Sequence, residues 1–324
     1  MFSGQGSQYY HMGRDLFDSN HFFKRHMTDF DEQVEALAGF SLLDTVYNNN
    51  VKVVDPFSDP LKAGLSIYMV ETSLVKMLAD YDIRPDYVIG ASLGLVAACT
   101  SAQCLSQEQG IRLLIDHGNI FKENCQEGKM LAILESVETY NQSPLLCEYS
   151  ELAAINFNKS IVISIPYQNV SVVEKYLKRS NYSFQALPVS KPYHSQWMDA
   201  VQGRYKKIYN SINYSRPSVP VFCTVATEVL DSISPDSLWT SVRGCMQFEK
   251  TIKCIEDVGG GRYIDVGPSG TMVNFLKYIL PNNAKSKAFQ LLSPFKKGNK
   301  NLDSLLNDCQ VNSVNSSYVV GELR

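Results

Sequence analysis

The sequence is short of the features that would direct it to a membrane, a nucleic acid or an oxidising compartment. No apolar run approaches the ~20 residues a bilayer crossing needs, and Met1-Phe2-Ser3-Gly4 carries neither the basic stretch nor the apolar run of a secretory signal. A cytoplasmic protein is the expectation. Thirty Lys and Arg against 33 Asp and Glu leave a net charge of −3, so no basic field recommends a nucleic acid or an anionic membrane as partner. The eight cysteines form no C-x-x-C pair and the five histidines add no zinc-like spacing, so neither a metal site nor a disulfide framework is expected. The cysteines read as mostly buried thiols. No internal repeat is visible.

What is present is ordinary globular material. Of 324 residues, 44% are hydrophobic and 19% charged, enough apolar mass for one large core with an insertion, or two cores. Strand-like and helix-like segments alternate, which predicts a mainly parallel α/β sheet. Ile67, Val70, Leu74, Met77 and Leu78 recur at helical spacing between Leu61 and Asp80, and Tyr81-Asp82-Ile83-Arg84-Pro85 ends that helix. Tyr87-Val88-Ile89 follows as a short buried strand, and Leu95-Val96-Ala97-Ala98-Cys99 can start another helix.

Between about Lys129 and Pro188 the pattern changes. It reads strand (Met130 to Leu134), helix, strands Ala153 to Phe157 and Ile161 to Ile165, helix Val170 to Arg179, strand Ser183 to Leu187. This βαββαβ order predicts a ferredoxin-like unit over residues 126–189, inserted in a larger domain of residues 1–125 and 190–295. The tail, 296–324, is rich in Asn, Ser and Lys; its helical stretch Leu302 to Leu306 is short and its last residues are expected to be mobile.

The chemistry begins at Gly90-x-Ser92-x-Gly94, placed between that strand and that helix. Small flanking residues permit a strained turn that exposes a serine hydroxyl as a nucleophile; the competing reading is a tight surface turn. A serine needs a base to take its proton. Of the histidines, His11, His21 and His26 lie in a polar, aromatic N-terminal stretch and His117 falls in a helical pattern, whereas His194 stands in Lys191-Pro192-Tyr193-His194-Ser195, a loop after a strand. Gly4-Gln5-Gly6-Ser7-Gln8 is either a flexible leader or a loop that brings the Gln5 amide to a developing oxyanion. With the backbone N–H of Leu93 it would supply two donors, each contributing on the order of 3 kcal/mol to transition-state stabilisation.

Taken together, Phe2-Ser3-Gly4-Gln5-Gly6-Ser7-Gln8, the turn at Ser92, Asn156-Phe157-Asn158, Pro192-Tyr193-His194-Ser195 and Asp265-Val266-Gly267-Pro268 resemble, in their order, the malonyl-CoA:acyl-carrier-protein transacylase family, which includes the acyltransferases of polyketide and fatty-acid synthases. The resemblance spans about Met1 to Leu280. It implies a large α/β hydrolase-like domain with a parallel sheet, a ferredoxin-like subdomain, and an active site between them. The roles it implies are Ser92 as nucleophile, His194 as base held by a backbone carbonyl, Gln5 and Leu93 as oxyanion donors, and Asn156, Ala91, Lys191, Tyr193 and His117 around the substrate. Asp265 reads as a strand-end acid outside this machinery. Only Met1-Phe2-Ser3 precede the Gln5 loop, where the family has a buried strand; either that strand is very short or the natural start lies upstream.

The departures from the family pattern carry the most information. Ala91 stands where malonyl transferases have histidine, Leu95 where they have glutamate, and His117, 25 residues after Ser92 (117 − 92), where they have the arginine that holds the malonyl carboxylate. Histidine cannot reproduce a planar, permanently charged fork, so neutral acyl groups are expected to be preferred, and Tyr193 suggests short or unbranched ones. Lys191 could offset the missing arginine or be a solvated loop charge. These departures resemble the acyl hydrolases that act beside trans-acting acyltransferases in polyketide antibiotic pathways and clear acyl groups from acyl carrier protein. Alternatives are a transferase moving acetyl or malonyl groups between CoA and the carrier, and a non-catalytic docking homologue. The expected partners are acyl carrier protein and acyl-CoA or acyl-phosphopantetheine thioesters. No cofactor beyond that arm of the substrate is called for, and a monomer is expected.

Overall fold

The computed structural model describes residues 1–319, with side chains through residue 310. The large domain is an α/β layer structure. Its strand β1 (Val88–Gly90) lies parallel to β6 (Val221–Cys223), which pairs antiparallel with β7 (Glu228–Leu230). A second pair, β9 (Arg262–Asp265) and β10 (Lys287–Gln290), is parallel. Met1 and Phe2 join the two pieces: the Phe2 N–H donates to Ile89 and its carbonyl accepts from Ala91, while Met1 bonds the Ile264 carbonyl and the Val266 N–H. Two residues thus do the bridging, through a single parallel bridge between Phe2 and Gly90 and the bonds of Met1.

The Pro60–Asp80 helix covers this sheet. It starts where Asp59 accepts from the Lys62 N–H with Pro60 in the first turn, and it is buried on almost every side between Ala63 and Leu74, as its dense apolar content requires. It stops at Tyr81 and the left-handed Asp82.

The inserted unit contains β2 (Gly128–Ile133), β3 (Glu151–Phe157), β4 (Ser160–Pro166) and β5 (Phe184–Ala186), antiparallel in the order β5-β2-β4-β3. This is the ferredoxin-like order, with its own core of Leu131, Ile133, Ile161, Ile163, Val173 and Leu177 beneath the Val170–Arg179 helix. Two details differ from the sequence reading. The first connecting helix is two short ones, Val137–Asn141 and Pro144–Tyr149, interrupted where Ser143 caps the second and Pro144 opens it. A fifth strand, β8 (Met246–Gln247), comes from the large domain and pairs parallel with β3, so the two parts share an edge.

The tail also differs. Gly298–Val319 is one helix; Leu302 and Leu305 are buried, the Gly298 N–H donates to Asp15, and Asp308 pairs with Arg262 and Lys287. Tertiary burial overrides the polar composition there. Residues 320–324, expected to be mobile, lie outside the described residues. Of the cysteines, Cys99, Cys104, Cys125 and Cys223 are buried and Cys147 is exposed. No described helix is long and apolar enough to cross a membrane.

Candidate active site

Ser92 sits where β1 turns into the Gly94–Ser101 helix, with φ of 56°. A non-glycine residue there is strained, and the surroundings must impose it. The turn is tight because a Cβ on Gly94 would overlap the Phe2 carbonyl oxygen. The strain leaves the hydroxyl at the start of a helix, where the N–H groups of Gly94, Leu95 and Val96 are taken by the carbonyls of Ala91, Ser92 and Leu93 and the Leu93 N–H has no acceptor among the described residues.

His194, 102 residues away in sequence, closes on it: Nε2 lies 2.8 Å from Ser92 Oγ and Nδ1 lies 2.8 Å from the Gly244 carbonyl oxygen. A carbonyl can only accept, so Nδ1 carries the proton and Nε2 is free to accept from the serine. His194 is also left-handed, with φ of 58°, and its own N–H donates to Val242. It is 2% exposed, and burial draws its pKa down to about 4, opposed by the bond to Gly244 and reinforced by the charge of Arg243. A histidine held neutral across the physiological range is suited to take a proton from a hydroxyl. Arg243 in turn bridges Glu151 on β3 and Asp199 just beyond His194, fixing the segment that offers the carbonyl. Gly244 was invisible as a site residue in the sequence, since any residue supplies a carbonyl.

The Gln5 loop lies directly on the serine. A Cβ on Gly4 would stand 2.8 Å from Ser92 Cβ and 3.3 Å from its Oγ. The Gln5 side-chain amide, however, donates to the Pro60 carbonyl at 2.7 Å. The donor left for an oxyanion is the Gln5 backbone N–H, which with that of Leu93 has no acceptor among the described residues.

The residues expected around the substrate are brought together unevenly. His117 is 4% exposed and stands among rings: Phe121 at 4.2 Å, Tyr205 at 5.8 Å, and the Tyr209 hydroxyl 3.4 Å from Nδ1. Tyr205 stacks on Tyr209 and meets Trp239. With no charge to compensate it, burial alone pulls the His117 pKa down to about 3. Tyr193 joins this cluster through Phe121, 5.6 Å between centroids; its hydroxyl is buried without a partner and burial raises its pKa. The residues of the Gln202–Tyr209 helix gave no signal beyond aromatic content.

Lys191 is not a solvated charge. It is 3% exposed, and its ammonium donates to the Cys125 carbonyl and to Glu127, both at 2.7 Å. Held so, it does not replace a missing guanidinium. Ala91 is a backbone participant, bonded through its N–H to Phe2 and its carbonyl to Gly94. Asn156 bonds Ser160 within the subdomain and is not within hydrogen-bond reach of Ser92 or His194. Asp265 accepts from the N–H groups of Gly267, Met272 and Val273, holding the start of the Thr271–Ile279 helix, as a strand-end acid should. A cavity of about 480 Å³ opens at the N-terminal ends of β1 and β9, away from Ser92, which follows the C-terminal end of β1. Among the described residues, no group of three or more His, Cys, Asp or Glu is placed to hold a metal ion.

A left-handed serine at a strand-to-helix turn, bonded to a carbonyl-held histidine under a glycine-bearing loop, invites comparison with known proteins. Residues 1–317 match the acyl transferase domain family. The chain belongs to that family. It is 34% identical over 305 residues to the polyketide biosynthesis acyltransferase homolog PksD of Bacillus subtilis, covering 94% of each chain, and 36% identical, with the same coverage, to the homolog BaeD of Bacillus velezensis. Among solved structures it superposes on a loading acyltransferase from the avermectin modular polyketide synthase with a TM-score of 0.84 at 18% identity, covering 95% of this chain and 98% of that one. It matches a malonyl CoA-acyl carrier protein transacylase from Clostridium perfringens with a TM-score of 0.80 at 20% identity, covering 98% of each. These structural matches establish the α/β acyltransferase fold, and the acyltransferase family makes this chain an acyltransferase-family enzyme.

Proposed function

We propose that this acyltransferase-family enzyme removes short neutral acyl groups from acyl carrier protein in polyketide biosynthesis, by hydrolysis through an acyl-Ser92 intermediate. The observation that carries the reading is His117: neutral, buried and enclosed by Phe121, Tyr205 and Tyr209. Family members that handle malonyl groups place a guanidinium there. A malonyl carboxylate brought to His117 would be desolvated without a cation, at a cost of several kcal/mol, and Lys191 is already paired with Glu127.

In the first half-reaction His194 Nε2 takes the Ser92 proton and the serine oxygen attacks the thioester carbonyl. The oxyanion falls between the backbone N–H groups of Gln5 and Leu93. Collapse breaks the C–S bond, and His194 returns the proton to the departing phosphopantetheine thiol. In the second, His194 takes a proton from water as its oxygen adds to the acyl-serine carbonyl, and returns that proton to Ser92 Oγ as the ester C–O bond breaks, giving the free acid and Ser92. Transfer to a second carrier would use the same groups with a thiol in place of water.

Incubation with acetyl-, butyryl- and malonyl-loaded carrier protein, followed by intact mass, tests this. Loss of acetyl and butyryl with malonyl retained, abolished by Ser92→Ala, is expected. Transfer to a second, unloaded carrier faster than release of free acid would establish a transferase instead, and rapid malonyl loss would remove the argument from His117.

A further inference from the structure

A buried carboxylate that no sequence motif marked lies under the Gln5 loop. Glu71, on the Pro60–Asp80 helix, has no exposed surface. One of its oxygens, Oε1, accepts from the Ser3 N–H at 2.6 Å and from the Ser3 hydroxyl at 3.0 Å, while Oε2 has no partner. Ser3 Oγ also lies 2.9 Å from Ser7 Oγ, and Ser7 gives its proton to the Gly4 carbonyl at 2.9 Å; Ser3 has one proton to give, so it reaches Ser7 when the Glu71 carboxyl is protonated and donates to Ser3 Oγ instead. The Ser7 N–H reaches the same carbonyl at 3.4 Å. Gly4 and Gln5 share one peptide group, so whatever fixes the Gly4 carbonyl also fixes the direction of the Gln5 N–H. Burial pushes the Glu71 carboxyl well above the usual range, against the pull of the two Ser3 bonds. A buried carboxyl with only one satisfied oxygen costs stability, and an apolar residue would fill the same space without that cost.

We propose that Glu71 is a positioning residue for the oxyanion donor: it clamps Ser3 and, through Ser7, orients the Gly4–Gln5 peptide so that the Gln5 N–H faces the carbonyl under attack at Ser92. The inference rests on the reading of Ser92 as the acylated group and of the Gln5 N–H as its donor. The acceptor oxygen does the holding, so glutamine serves where methionine of similar size does not.

The experiment measures single-turnover acylation of Ser92 and steady-state kcat and KM with an acetyl thioester, in wild type, Glu71→Gln, Glu71→Met and Ser7→Ala. Folding is followed in parallel by thermal unfolding. Expected are a fall of tenfold or more in the acylation rate and kcat of Glu71→Met with KM within twofold, recovery to within threefold in Glu71→Gln, and a three- to tenfold fall in Ser7→Ala. A folded Glu71→Met with an unchanged rate, or equal losses in the Gln and Met variants, overturns the proposal. If Glu71→Met does not fold, Ser7→Ala decides, because it leaves Glu71 in place and cuts only the link to Gly4; an unchanged kcat there overturns it. Wild-type protein that forms no acyl-Ser92 would refute the functional reading itself, a different result from a normal wild type with insensitive variants.

Discussion

Two histidine environments, almost equally buried, stand in contrast. Around His194 the chain is backbone-rich and strained: two left-handed residues, a helix start, a glycine pressed on the serine, and a ring bonded at both nitrogens. Around His117 it is side-chain-rich and relaxed: one long hydrogen bond to Tyr209 and otherwise aromatic faces, all from helices or their flanks. Both rings are held neutral by desolvation, yet the first has a serine hydroxyl at 2.8 Å in front of it and a carbonyl behind it, whereas the second has a phenol hydroxyl at 3.4 Å and ring faces. Burial alone therefore does not make a base. The partners do, and they are supplied by strain on one side and withheld by packing on the other.

Disabling His194 should break the comparison most. His194→Ala is expected to lower acyl-enzyme formation on the order of 10³-fold, within the range general bases contribute, read as the rate of mass gain on Ser92. In wild type that rate should stay flat from pH 8 to about 5 and fall as pH drops through about 4, where the ring protonates. Stability should follow a different course. Both histidines have folded pKa values below the usual 6.5, so below pH 6.5 the unfolded chain binds more protons, and stability is lost as pH falls from there towards 4. Urea unfolding at pH 7, 5.5 and 4.5 measures it.

Gly4→Ala comes next. Its methyl group would press on Ser92 Cβ and displace the loop; a shift of an ångström at a reacting group costs on the order of 10²-fold, expected in kcat with the thioester KM little changed.

His117→Arg sharpens the other side. A restored charge-assisted pair contributes about 1.5–3 kcal/mol, so the malonyl-to-acetyl turnover ratio should rise by about ten- to a hundredfold, measured on the two loaded carriers in competition. An unchanged ratio would mean that the rings, not the missing charge, exclude malonate. Lys191→Met should do least. The lysine's charge is spent on the carbonyl of Cys125 and on the exposed Glu127, so the same ratio is expected to move by less than about twofold, since partly solvated pairs contribute about 1 kcal/mol or less.

These environments were not equally legible before the structure. Ser92 and His194 could be read because each lies in a turn whose residue types are locally required, and the βαββαβ order could be read because periodicity is a local property. Lys191 was open between two roles because its partner Glu127 is 64 residues away in sequence. The Gln5 amide, expected at the oxyanion, is taken by the Pro60 carbonyl, and the backbone N–H of the same residue is left free, a division that no residue type announces. The helix at 298–319 was underestimated because burial of Leu302 and Leu305, rather than propensity, holds it.

The sequence by itself determined that a serine would be lifted out of a strand-to-helix turn, that a histidine would be offered by a loop, and that the position 25 residues on would carry no permanent cation. Short-range sterics and side-chain chemistry suffice for each. Only the tertiary structure decided that Gly244 holds His194, that Glu71 lies beneath the Gln5 loop, and that aromatic rings close around His117. Each of those contacts joins segments far apart in the chain, through backbone carbonyls, buried oxygens and ring faces that leave no distinctive pattern in a sequence.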